Sequence, residues 1–343
     1  MAEEGQLSRQ WHLVRRPRGV PSGEDVELVT AELPPLGPDE VLVRNHVMSV
    51  EPYMRGRMSE TRSYVEPFEL GAAMNGPAVG RVVASRSADL PVGAWVHHDL
   101  GWRDVAVVRA AGAKVIDVEA IPPSAYLGAL GLTGFTAYVG LLRIGDCRPG
   151  DTVFVSAAAG AVGSMVGQIA SARGCTVIGS AGSAEKVGLL TGELGFDAAF
   201  DYHGSIRDRL NDALERAGVA GIDVYFDNVG GPQLEAAIRR MNEGGRIVLC
   251  GAISTYNATE PVPGPRNLLL MIWRRLRMEG FLAGDHESER PAFEKEMAAW
   301  LAGGAVRSVE RVLGEGIEQA WPAFLAMLDG GNVGKALVRL ETS

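Results

Sequence analysis

The sequence predicts an α/β chain: a doubly wound parallel sheet with β-rich segments before and after it. Three observations predict this. From about 121 to 300, short apolar runs rich in β-branched residues alternate with stretches whose apolar residues recur at helical spacing, the pattern of strands joined by crossover helices. Before about 120 no helix-period pattern of any length occurs, and Pro/Gly clusters such as Leu33-Pro-Pro-Leu-Gly-Pro38 punctuate short apolar runs. Finally, the run Thr152–Val155 passes through small residues and glycines up to Gly163, and a helical pattern follows from Ser164 to Arg173. Strand, tight turn and helix in that order form the phosphate-binding entry to a dinucleotide fold.

Each element follows in order. In the first segment, Val41–Arg44, Val79–Ala84 and Val105–Val108 read as strands of a partly open β-barrel or sandwich. Six strands are expected next, at 152–156, 176–180, 198–201, 222–227, 246–250 and 277–282, with helices between them, for example at 184–194, 231–241 and 288–302. The segment from about 305 to 343 returns to strands around one helix at Ile317–Leu328 and is expected to dock back on the first domain. The 343 residues therefore divide into a discontinuous β-rich domain, 1–120 with 305–343, and a dinucleotide domain, 121–304.

Composition narrows the function. A formal net charge of -9 with no basic domain disfavours nucleic acid as a partner. The three cysteines, Cys147, Cys175 and Cys250, are odd in number, and none shares a metal-ligand spacing with another. A disulfide framework is not expected, which suits a reducing cytoplasm. The N-terminus, Met1-Ala-Glu-Glu-Gly-Gln6, has neither a basic region nor an apolar core, so no signal peptide is expected. The run Leu268–Trp273 is far too short to cross a bilayer.

The turn reads Ala157-x-x-Gly160-x-x-Gly163, with Ala in place of the usual first Gly. Small residues let the backbone approach a pyrophosphate, and the helix N-terminus offers free N–H groups and the positive end of its dipole. The second strand, Thr176–Ser180, ends without the acidic residue that accepts the ribose 2′-OH of NAD. Gly182, Ser183 and Lys186 instead offer room, a hydroxyl and a cation, which favours the 2′-phosphate of NADP; Glu185, in the same turn, argues against it.

Several segments together resemble one family. They are Ser8–Trp11, Glu51-Pro-Tyr-Met-Arg-Gly-Arg-Met58, Gly134–Leu141, Ala157–Gln168, Asp223-Val-Tyr-Phe-Asp-Asn-Val-Gly-Gly231, Cys250–Asn257 and Gly331-Asn-Val-Gly-Lys335. In this order they resemble the zinc-free medium-chain dehydrogenase/reductases of the leukotriene 12-hydroxydehydrogenase and prostaglandin reductase branch. Plant alkenal double-bond reductases and curcumin-reductase-like enzymes belong to the same branch. The resemblance implies a GroES-like catalytic domain beside a Rossmann sheet, a homodimer, and NADPH-dependent reduction of a carbon–carbon double bond conjugated to a carbonyl. It implies that Ala159, Gly160, Ala161, Val162 and Gly163 hold the pyrophosphate. Ser183, Lys186 and Tyr202 fall at the 2′-phosphate end. Asn228, Cys250, Gly251, Ala252, Ile253, Ser254 and Tyr256, with Phe281, Leu282 and Ala283, fall on the nicotinamide side, and Asn332 returns from the last segment to touch the cofactor. Three positions depart from the family pattern: His203 where Lys is common, Glu51 where Asp is usual, and Gly284-Asp-His286 where larger side chains stand.

Zinc polarisation of a substrate needs converging thiolate and imidazole ligands. The first domain holds no cysteine, and neighbouring residues of a strand point to opposite faces, so His97-His98-Asp99 is expected to be a surface turn and no metal is expected. An enone needs less help than a ketone, because hydride goes to its β-carbon and charge collects on the carbonyl oxygen, where a hydroxyl donor suffices. Tyr256 is the leading candidate for that donor and Tyr53, facing the cleft from the first domain, the second. As core, Tyr53-Met54 would leave Arg55 and Arg57 exposed. Asp227-Asn228 sits at a strand's carboxyl end, where ligands bind in such sheets. The helix Pro265–Arg277 is expected over the cleft or at a subunit contact, and the edge strand Met278–Leu282 is the expected dimer seam. The expected activity is an NADPH-dependent 2-alkenal/enone reductase, with NADPH-dependent quinone reduction and a non-catalytic NADPH-binding sensor as alternatives.

Overall fold

The computed structural model describes residues 6–61, 63–119 and 121–340; residues 1–5 of the segment read for a signal peptide lie outside them. The chain divides into two compact units, Met1–Leu127 with Glu310–Ser343, and Gly128–Val309.

The first unit runs through β1 (Leu7–Leu13), β2 (Val26–Glu32), β3 (Glu40–Ser49), α1 (Tyr53–Arg57), β4 (Ala78–Ser85), β5 (Trp95–His98), β6 (Val105–Arg109) and β7 (Ala113–Val115). The second comprises α2 (Leu132–Val139), β8 (Thr152–Val155), α3 (Ala161–Ala172), β9 (Thr176–Ala181), α4 (Ala184–Glu193), β10 (Ala198–Asp201), α5 (Ile206–Arg216), β11 (Ile222–Asp227), α6 (Gly231–Arg240), β12 (Met241–Leu249), α7 (Leu269–Trp273), β13 (Arg277–Gly280) and α8 (Arg290–Ala302). The chain then returns to the first unit with β14 (Glu310–Glu315), α9 (Ala320–Leu328) and β15 (Lys335–Arg339).

Among the described residues, the second unit holds a six-stranded parallel sheet in the order β10-β9-β8-β11-β12-β13. Its strands show why the fold is doubly wound. Val153, Val155, Val177, Val224, Phe226 and Val248 face one core, shared with α2, α3 and α8. Their neighbours in sequence, Phe154, Ile178, Tyr225 and Ile247, face the other, shared with α5 and α6. A strand buried on both faces is apolar at most positions, which is why these segments read as near-continuous apolar runs.

Among the described residues of the first unit, a seven-stranded sheet runs β14-β15-β3-β4-β5-β7, with β6 on β3, and β1 pairs with β2. Strand β15 lies antiparallel to β3, so the last segment joins the first domain through backbone hydrogen bonds. The same strand brings in Lys335, 2% exposed, whose Nζ donates to Glu51 Oε1 at 2.7 Å, while Ser49 Oγ donates to the same oxygen at 2.8 Å. A lone buried charge costs several kcal/mol, and this pair leaves neither ion alone.

Three expectations need correction. His97-His98-Asp99 is not a surface turn: His97 and His98 end β5, and His98 is 1% exposed. The His98 ring is held neutral between Asn45 Oδ1, 2.9 Å from Nε2, and the Leu100 N–H, which donates to Nδ1 at 3.0 Å; burial pushes its pKa down to about 3. The first segment is not free of helix, since α1 forms a single turn at Tyr53–Arg57. Met54 is core, but Arg55 is buried beside it, and its Nη2 donates to the Gly19 carbonyl at 2.7 Å. The seams between the units fall after Leu127 and Val309, a few residues beyond 120 and 304, because Tyr126 and Leu127 pack against Val47, Val79 and Leu337 of the first unit.

Candidate active site

The turn after β8 has the form a dinucleotide requires. Ala157 takes a left-handed backbone, φ +49°, at the position where a Gly is usual. That conformation costs a Cβ-bearing residue about 1–2 kcal/mol. Hydrogen bonds hold it: Gly160 N–H donates to Ala157 O at 2.9 Å, and Ala158 N–H donates to Ser180 O of β9 at 2.8 Å. A Cβ on Gly163 would lie 2.4 Å from Ala157 O and 2.9 Å from Ala158 Cα, so the turn and α3 close on each other only because that atom is absent. Gly160 is the N-cap of α3 and brings no side-chain oxygen, so the N–H groups of the first helical turn carry no side-chain cap. Uncapped donors at a helix N-terminus beside a backbone without bulk fit a pyrophosphate. Ala159 is buried, so its contribution to a ligand is its backbone.

At the ends of β9 and β10 the expected ribose-phosphate residues gather. Ser183 caps α4, its Oγ accepting from Lys186 N–H at 3.3 Å, which puts Lys186 in the first turn. The Tyr202 hydroxyl reaches back to the same turn: a Cβ on Gly182 would lie 3.1 Å from it. His203, in the place of the usual Lys, stacks on Tyr202 with 4.5 Å between ring centroids, and its Nδ1 lies 2.6 Å from Asp201 Oδ1. Asp201 therefore already holds the imidazole.

The ends of β11 and β12 carry the nicotinamide-side residues. Asp227 organises them. One oxygen, Oδ1, accepts from Ser156 Oγ at 3.0 Å, Tyr225 OH at 2.7 Å, and the N–H groups of Val229 and Gly230, each at 2.9 Å. Asn228 is locked in turn: its N–H donates to Ser156 Oγ at 2.9 Å and its Nδ2 to Ser156 O at 2.8 Å. The next loop is stitched to this turn. Cys250 and Gly251 N–H groups donate to Asp227 O, Ile253 N–H to Asn228 O, and Ser254 Oγ to Val229 O at 2.6 Å. Burial, reinforced by the Asp227 charge, pushes the Cys250 thiol up to about 12, so it is a neutral group.

Tyr256 closes this loop. Its hydroxyl oxygen lies 3.5 Å from Ala252 N, which donates to it, and a Cβ on Gly251 would lie 3.3 Å from that oxygen. Burial raises its pKa above the usual phenol value, against the lowering effect of the Ala252 N–H. The group is thus a protonated phenol that accepts one backbone hydrogen bond and keeps its own proton to donate.

Other expected residues sit differently. Phe281 packs edge-on against Phe226 over Gly140, and Ala283 is buried, whereas Leu282 is exposed. Asn332 spends its Nδ2 on Gly334 O at 2.7 Å, within its own turn. Tyr53 belongs to the first unit; burial and the Glu51 charge raise its pKa, and it is hydrogen-bonded to Arg57. Sequence reasoning missed the role of Ser156, a small polar residue at a strand end with no motif to mark it. Among the described residues no three His, Cys, Asp or Glu side chains gather to hold a metal ion.

Comparison with known proteins places the chain in a family. Residues 9–116 match a family model described as the N-terminal domain of oxidoreductase, and residues 161–302 one described as zinc-binding dehydrogenase. The NADPH-dependent curcumin reductase of Escherichia coli is 40% identical over 99% of both chains. A 2-alkenal reductase (NADP(+)-dependent) of Nicotiana tabacum is 41% identical over 99% of both. The crystal structure of CurA from Vibrio vulnificus in complex with NADPH superposes with a TM-score of 0.91 at 40% identity, covering 98% of this chain and 100% of that one. With these relatives matching along nearly the whole chain, the protein belongs to the zinc-free medium-chain dehydrogenase/reductases, in the group of curcumin, prostaglandin and 2-alkenal reductases, and is an NADPH-dependent oxidoreductase.

Proposed function

We propose that the chain reduces the carbon–carbon double bond of α,β-unsaturated aldehydes and ketones. The observation that carries this reading is Tyr256, a half-buried neutral phenol whose oxygen already accepts a backbone N–H. The names of the tobacco and Escherichia coli relatives support the substrate class. NADPH, when bound, supplies the hydride. The first turn of α3, from Ala161 to Gly163, would hold its pyrophosphate, and Ser183, Lys186 and Tyr202 its 2′-phosphate. Asn228, Cys250–Ser254 and Phe281–Ala283 would line the nicotinamide side. Tyr256 donates a hydrogen bond to the substrate carbonyl, and this bond strengthens as negative charge collects on that oxygen. Tyr53 and Asn332 of the first unit are carried as a second donor and a cofactor contact. In parallel assays at 340 nm, a medium-chain 2-alkenal should drive NADPH oxidation and give the saturated aldehyde, while a saturated aldehyde should be inert. Turnover of 1,4-benzoquinone with silence on the alkenal would replace this reading, and NADPH binding without turnover of either would make the chain a sensor.

We also propose a homodimer joined through β13. That strand is one border of the sheet, and beside it α7 exposes Leu269, Ile272 and Trp273. The opposite border is sealed: Arg216 Nη2 donates to Ala199 O at 2.9 Å and Arg209 Nη1 to Asp201 O at 3.0 Å, so β10 has spent those carbonyls. An unsealed strand edge beside an apolar patch invites pairing. Sedimentation at micromolar concentration should show a two-chain species; a single-chain species would sink the proposal.

A further inference from the structure

We propose that Cys147 and Cys175 form a dithiol that a peroxide closes reversibly into a disulfide, stapling the nucleotide-binding turn. The two sulfurs lie 3.3 Å apart although 28 positions separate them in sequence, and both are free thiols. Their backbones are held in register from both sides. Gly150 N–H donates to Gly174 O at 3.0 Å, Thr176 N–H donates to Asp151 O at 3.0 Å, and Cys175 N–H donates to Ala170 O at 3.1 Å. Arg246 fixes the loop that carries Cys147, its Nε donating to Gly145 O at 2.9 Å and its Nη2 to Asp146 O at 3.0 Å. A disulfide needs about 2.05 Å between sulfurs, a closure within reach of side-chain rotation while these backbone bonds stay in place. Cys147 is half-buried and open to a small oxidant, whereas Cys175 is buried against the Arg148 carbonyl, its Sγ 3.3 Å from that oxygen. The contact also polarises the pair, lowering the Cys175 pKa and raising that of Cys147.

The chemistry balances. One sulfur attacks the peroxide O–O bond, giving a sulfenic acid and the first water. The other displaces oxygen from that sulfenic acid, forming the S–S bond and releasing the second water. Two thiol hydrogens and two electrons leave the protein, and the peroxide is reduced; a dithiol reductant reverses the change by exchange. The segment so closed, 147–175, contains β8, the turn at Ala157–Gly160 and all of α3. Pinning its two ends narrows the unfolded ensemble of the element that meets the pyrophosphate. The third thiol, Cys250, lies at the other end of the strands, after β12.

The test uses the full-length protein, reduced and then treated with hydrogen peroxide, alkylated and digested with trypsin without reduction. Because the Arg148–Pro149 bond resists trypsin, cleavage releases Ile144–Arg173 and Gly174–Lys186. They should appear joined, two hydrogens lighter than their sum, and should separate with dithiothreitol. The oxidised protein should melt about 5 °C above the reduced form, and Cys147→Ser should abolish both the link and the rise. The proposal fails if both thiols still take iodoacetamide after oxidation, if each is oxidised singly, or if Cys250 supplies the link. Peptide mapping of the wild-type protein decides the matter even if the variant does not fold.

Discussion

Tyr256→Phe is expected to lower kcat for an enal about 100-fold, the usual cost of removing one donor to a developing oxyanion. NADPH affinity and the melting midpoint should stay close to those of the wild type. The argument rests on what the hydroxyl does in the protein alone. Its one backbone contact, from Ala252 N–H, is long at 3.5 Å, so losing it costs the loop little. The loop is held instead by Ser254 and by the Cys250, Gly251 and Ile253 N–H groups on the Asp227–Asn228 backbone. A packing role would show as equal losses in NADPH binding and turnover, and that result would remove Tyr256 from the chemistry. The sign of its pKa shift adds a check. Burial raises the phenol, so it stays protonated past the ordinary value of 10 and the rate should not fall through phenol ionisation below pH 10. A fall with an apparent pKa well under 10 would mean another group is the donor.

Gly163→Ala should pry the nucleotide-binding turn away from α3. The added carbon would stand 2.4 Å from one backbone oxygen and 2.9 Å from a backbone Cα, and neither is the end of a flexible side chain. Turn and helix must therefore part. Overpacking of this kind costs about 1–3 kcal/mol, and the displaced first turn of α3 should weaken NADPH binding at least tenfold. Gly188→Ala is the control. It lies on the exposed side of α4 with nothing within 4 Å of its Cβ position, and relief of backbone entropy should stabilise the protein by about 0.5–1 kcal/mol. If Gly163→Ala melts and binds NADPH like the wild type, the close approach of turn and helix does not shape the site.

The parts of this protein legible in its sequence were those whose physics is local. The run Thr152–Val155 is buried on both faces, so its positions after Thr152 are all apolar, and the glycine turn and the helix spacing that follow are equally local. The His97-His98 strand was misread because a four-residue strand with two imidazoles carries no apolar alternation; its burial depends on Asn45, 53 positions away from His98. On the reading that makes Tyr53-Met54 core, Arg55 would lie outside, but it is buried and donates to the carbonyls of Pro17 and Gly19. The Cys147–Cys175 contact is set by the turns on either side of β8 and α3, and no spacing rule for two cysteines could reveal it. At the nicotinamide side the motif residues were legible, but the hydrogen bonds of Asp227 were not, since it acts through Tyr225 of its own strand and Ser156, just after β8 and 71 positions away.

The guanidinium groups on the outer side of β10 have a consequence for assembly. In the proposed dimer, two chains meeting along β13 would turn the same face to each other and use up the open border of both. What the pair then presents at its two far ends is a strand whose Ala199 and Asp201 carbonyls are already occupied by Arg216 and Arg209. If the proposed two-chain species forms through β13, those occupied carbonyls would weaken the far ends as templates for a third chain, favouring a closed two-fold object over a fibre.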